Sequence, residues 1–148
     1  MKEKVFIKPN VSKGRFENPS ILENNLNSWD VSNRINELLQ LEENWYQGIG
    51  KALNREQLLK FETLFNAYFD KTLACPAIFP TIDGNVQLEW KKNENNIIVS
   101  VNLLNLSIAL CYYHDRAENM DKEIEMKISD KADWMQFNSL IAQLLNGQ

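Results

Sequence analysis

Just past the middle of this chain the spacing of its apolar residues switches from a helical period to a period of two. That switch limits the available folds more than any other feature. Before it, Val31, Ile35, Leu38 and Leu39 fall on one helical face after Asp30, a good N-cap, and predict a helix of about three turns. A second helix is predicted from Asn54-Arg55-Glu56-Gln57, which has the spacing of a capping box, through the stripe Leu58, Phe61, Phe65, Tyr68 and Phe69 to about Asp70. After Pro76 the pattern alternates: Val86, Leu88 and Trp90 interleave with Gln87, Glu89 and Lys91, as in a strand with one buried face.

Further strands are predicted at Ile97 to Leu103, Leu106 to Tyr113 and Glu123 to Ile128, separated by polar turns such as Lys92-Asn93-Glu94-Asn95-Asn96. Ser129 or Asp130 then caps a closing helix with Trp134, Phe137, Ile141 and Leu144 on one face. Helices and strands that do not alternate predict an α+β fold, here a four- to five-stranded antiparallel meander packed against two preceding helices and one C-terminal helix. The 148 residues fit one domain, residues 30–148, preceded by an arm over residues 1–29.

Within the arm, Val5, Phe6, Ile7, Phe16, Ile21 and Leu22 are too apolar for a free tail and too irregular for an independent element. They are the candidate interaction residues. The segment Val5-Phe6-Ile7 is expected to dock as an extended strand on the sheet of its own chain or of a second copy, with Pro9 ending the pairing.

Charge narrows the partners. A net charge of −4 disfavours nucleic acid, whose non-specific binding rests on phosphate neutralisation by Lys and Arg. Only the first fifteen residues are locally basic, through Lys2, Lys4, Lys8, Lys13 and Arg15. No apolar run approaches the ~20 residues of a membrane span, and the start lacks the apolar stretch of a signal peptide. A cytoplasmic protein with free thiols at Cys75 and Cys111 is expected.

Two stretches carry a resemblance. Asn44-Trp45-Tyr46-Gln47-Gly48 and Pro80-Thr81-Ile82-Asp83-Gly84-Asn85-Val86-Gln87-Leu88-Glu89-Trp90 resemble a loop and a strand shared by a family of small bacterial proteins without an established activity. The family's Asn-Trp-Asp-Gly-Tyr-like loop usually has Asp where Tyr46 stands, so a role for that carboxylate does not transfer. The resemblance spans roughly residues 35 to 103 and implies no activity, cofactor or ligand.

Candidate chemistry is sparse. His114-Asp115 is the only histidine-containing constellation, and Cys75 or Cys111 served by that imidazole would make a thiol nucleophile. Inert buried cysteines are the commoner case. Glu89 would suit a general acid or base if partly buried, paired with Glu123 or Glu125, although a solvent-facing strand residue is the plainer reading. The run from His114 to Asp121 has oxygen donors but not the donor spacing or central glycine of a calcium loop, and one histidine is too few for an ordinary zinc site. The five glycines form no phosphate loop. Trp45, Tyr46, Trp90, Tyr112 and Tyr113 could stack bases only beside a basic groove.

The expectation is a non-enzymatic interaction or accessory factor, of antitoxin, immunity or defence-associated kind, with a protein partner or a second copy of itself and with neither metal nor cofactor. The rival is a small enzyme or ligand-binding domain with a cleft around Glu89 and His114.

Overall fold

The computed structural model describes residues 28–92 and 95–147. Two helices, α1 (Ser28–Leu39) and α2 (Arg55–Tyr68), precede five strands: β1 (Ala77–Pro80), β2 (Val86–Lys92), β3 (Asn95–Val101), β4 (Ile108–Asp115) and β5 (Met120–Lys127). Helix α3 (Lys131–Gly147) closes the chain. The sheet is an antiparallel meander in the order β1-β2-β3-β4-β5, so the fold is α+β. The arm residues Val5, Phe6, Ile7, Phe16, Ile21 and Leu22, and the docking expected of them, lie outside the described residues.

Helix α1 starts at Ser28, three residues earlier than the Asp30 cap implied, and buries Val31, Ile35 and Leu38. At α2 the Asn54 side chain accepts the Gln57 backbone N–H at 2.9 Å, as its cap position predicts. The return half of the capping box goes elsewhere, because Gln57 Nε2 donates to the carbonyl of Leu103 at 2.6 Å. Strand β1 has no alternating signature, being only Ala-Ile-Phe-Pro, and forms because β2 offers it an edge with Ile78 opposite Leu88. Pro80 is tolerated there because β1 is itself an edge strand.

The strand side chains alternate between two faces. Ile78, Val86, Leu88, Trp90, Ile97, Val99, Val101, Ala109, Cys111 and Met126 join the apolar residues of all three helices in one buried cluster. Its centre is aromatic. Phe137 of α3 lies 5.0 Å from Trp134 and 6.4 Å from Trp90, ring centre to ring centre, while Phe65 and Phe69 of α2 stack at 4.5 Å. Each indole N–H finds a carbonyl, Trp90 that of Ala74 at 2.7 Å and Trp134 that of Ile128 at 2.9 Å, so the rings are buried without an orphaned donor.

Helix α3 begins with a reciprocal cap. Asp130 accepts the N–H of Asp133 at 2.9 Å, and the Asp133 carboxylate accepts the N–H of Ser129 at 3.0 Å. Asn138 of the same helix then caps another element, accepting the N–H of Asp70 and donating to the carbonyl of Tyr68 at the end of α2.

Candidate functional site

The other face of the sheet carries the remaining chemistry. Strand registers set it out in two rows: Phe79, Gln87, Ser100, Leu110 and Glu125, then Ala77, Glu89, Ile98, Tyr112 and Glu123. The apolar members are half-buried, and the carboxylates of β5 are exposed. His114 and Asp121 face each other at one end of β4 and β5 on this same face. It combines an apolar and aromatic middle with a row of outward carboxylates, Asp121, Glu123 and Glu125, along the edge strand.

Glu89 differs from the solvent-facing expectation. It is only 4 % exposed, and Gln87 beside it 1 %. Flanking strands alone do not bury a side chain this far, since Ile98, Ser100, Leu110 and Tyr112 of β3 and β4, which are hydrogen-bonded on both sides as well, are only half-buried. Glu89 Oε2 accepts from Asn96 Nδ2 of β3 at 2.6 Å. The Oε1 of Gln87 is buried without a hydrogen-bond partner, the kind of group that costs stability unless a donor reaches it.

The sequence left open whether Glu89 could pair with Glu123 or Glu125. Glu89 and Glu123 lie in one row, yet β3 and β4 separate them, which puts their backbones about 14 Å apart. Carboxylate pairs that act on one bond stand roughly 5–10 Å apart. The three candidates His114, Glu89 and Cys111 are not brought together either. Cys111 is fully buried on the helix side, whereas His114, three residues on, points to the opposite face. Burial pushes the Cys111 thiol up to about 12, the reverse of what a nucleophile needs. The imidazole of His114 contacts Asp121 Oδ1 at 2.8 Å and Asn119 Oδ1 at 3.3 Å.

The carboxylates of the β4–β5 turn are engaged within it. Asp115 accepts the N–H groups of Ala117 and Glu118 and the ammonium of Lys122 at 2.8 Å, and Lys122 also reaches Glu118 at 3.0 Å. The Lys122 hydrogen bond is the main reason Asp115 sits below the usual carboxylate range. Among the described residues no group of three or more His, Cys, Asp or Glu is placed to hold a metal ion, and no helix is long and apolar enough to cross a membrane.

The two stretches of the family resemblance meet in space. Lys51 donates its backbone N–H to Ile82 at 2.9 Å, joining the Trp45 loop to the β1–β2 turn. The first part of the second stretch builds the turn: Thr81 hydrogen-bonds Asp83 and accepts the N–H of Asn85, Gly84 takes φ +90°, and Asn85 accepts from the backbone N–H of Leu103. Trp45 and Tyr46 pack edge to face and stay half-buried beside the loop instead of entering the core. Sequence reasoning missed Gln87, whose signal was available: a polar residue between two core positions of a strand that proves central. The aromatic platform does not form, since Trp90 lies on the helix side and Tyr112 on the other face. No protein-family model matches the chain, and no curated protein or solved structure matches it.

Proposed function

We propose that this protein is a non-enzymatic interaction protein, of the antitoxin, immunity or accessory kind, which holds a basic protein partner on the sheet face opposite the core packed by the three described helices. The observation that carries this reading is the juxtaposition on that face of Tyr112, Leu110 and Ile98 with the exposed carboxylates of Glu123 and Glu125. Apolar side chains supply burial on association, and the acidic row steers and selects a cationic partner. Charged side chains on an edge strand also discourage sheet-to-sheet aggregation, which keeps such a face usable in a monomer.

The rival reading, a small enzyme or ligand-binding cleft around Glu89 and His114, has less support. His114 is two strands from Glu89 and displaced along β4 beyond Tyr112, the residue in the Glu89 row.

The test is affinity capture from native extract with the full chain and with its Glu123→Lys/Glu125→Lys variant, at low and high salt. A basic protein retained by the wild type at low salt, released by salt and not retained by the variant, is the expected result. Retention of the same proteins by both forms would overturn the reading.

A further inference from the structure

The sheet face opposite the three described helices carries acceptors at two places: Gln87 Oε1 is buried on β2 without a hydrogen-bond partner, and the carboxylates of Glu123 and Glu125 stand exposed on β5, three strands away. An occupant of this face must therefore bring donors and positive charge together with apolar side chains. This chain contains such a segment. Its first fifteen residues hold five cations against one carboxylate in a protein of net charge −4, and Lys4 and Lys8 bracket Val5, Phe6 and Ile7.

We propose that the segment around residues 4–8 is the resident occupant of this face, so that a partner binds by displacing it. The proposal rests on the reading of that face as a protein-binding surface and adds its regulation. Geometry permits it: twenty-seven residues precede Ser28, and twenty of them, extended, reach about 65 Å. The five-stranded sheet is only about 20 Å wide. Tethering favours the chain's own segment over that of a second copy, because a short linker holds a ligand at an effective concentration on the order of millimolar. Positive charge on the segment and negative charge on the face add a salt-dependent preference.

The experiment replaces Phe6 with the photo-crosslinking aromatic p-benzoylphenylalanine in the full chain, irradiates a dilute sample, and maps adducts by mass spectrometry. The expected result is a product of monomer mass with residue 6 joined to the tryptic peptide spanning residues 93–116, which carries Ile98, Leu110 and Tyr112. The Glu123→Lys/Glu125→Lys variant should lose most of that adduct. Adducts absent from this peptide, or found only at dimer mass, would overturn the assignment to the chain's own segment. The capture experiment is read independently: charge-dependent capture without the crosslink leaves a partner site that has no resident segment, whereas the crosslink without capture removes the partner reading alone.

Discussion

The backbone N–H of Lys51 lies 2.9 Å from the carbonyl oxygen of Ile82, and this bond fastens the loop after α1 to the turn between β1 and β2. The loop can reach that turn because its own backbone doubles back: Tyr46 and Ile49 form an antiparallel bridge, Gly48 and Gly50 take φ of +85° and +108°, and the Trp45 indole donates to the carbonyl of Lys51 at 2.9 Å.

Gly50→Ala is therefore expected to destabilise the fold by more than Gly48→Ala. A Cβ at position 50 would stand 2.9 Å from Trp45 Nε1, whereas one at position 48 meets nothing within 4 Å. Backbone strain alone costs about 1 kcal/mol at either site, and displacement of the indole should bring Gly50→Ala to about 2–3 kcal/mol. Urea midpoints of the two variants check this, and equal midpoints would sink it.

Phe137→Ala should cost about 3–5 kcal/mol, because the ring separates and contacts both buried tryptophans. Trp90→Ala and Trp134→Ala should fall in the same range and add one further loss each, the indole hydrogen bond to Ala74 or Ile128. Denaturation monitored by circular dichroism reads the change. A Phe137→Ala midpoint equal to that of the wild type would show that the two tryptophans do not depend on it.

Arg34 is 3 % exposed, and its Nε donates at 2.7 Å to the Ile78 carbonyl of edge strand β1, so α1 covers the outer backbone edge of the sheet at that point. Removing it as Arg34→Ala leaves an edge carbonyl without its donor and a gap beside Phe79, whose ring centre lies 5.9 Å from the guanidinium carbon. A loss of about 1–3 kcal/mol is expected. Amide exchange across β1 should rise in the variant more than exchange in β3. Uniform exchange would place the effect elsewhere.

Alkaline stability should depend on Cys111. Its folded-state value is raised from 9.0 to about 12 by burial, so the thiol stays neutral in the fold and ionises in the unfolded chain from about pH 9 upward. The contribution is fully present below pH 9 and is lost as pH rises from 9 toward 12. Cys111→Ala should accordingly flatten the decline of stability above pH 9 while leaving the curve between pH 6 and 8 parallel to the wild type. Identical alkaline slopes would contradict it. In the native protein Cys75, which is half-buried, should react with a thiol reagent before Cys111 does.

His114→Ala should change stability by less than about 1 kcal/mol, because its hydrogen-bond partner Asp121 has a side chain that is 92 % exposed. The thermal unfolding midpoint of the variant against the wild type is the measurement. A larger loss would mean that the His114 contacts carry weight that exposed pairs lack.

Periodicity was enough for the three described helices, four of the five strands, the α+β class and most of the core. Local spacing determines which face of a helix or strand is apolar, and Leu58, Phe61 and Phe65, or Val86, Leu88 and Trp90, need no distant information to declare it. Turn chemistry was equally local, as Asn54 at the start of α2 and Asp83-Gly84 before β2 illustrate.

Tertiary structure alone decided which residues meet across the fold. Ala77–Pro80 becomes a strand because β2 lends it an edge, Gln57 leaves its own helix end for Leu103, and Asn138 caps a helix seventy residues earlier. The candidate site depended on it most. Glu89 is buried although its strand period points it away from the core, and it stands apart from Glu123 because β3 and β4 intervene. The separation follows from strand order. A period of two records that a side chain points away from the core but not what surrounds it there, so burial on the second face becomes visible only once the fold is assembled.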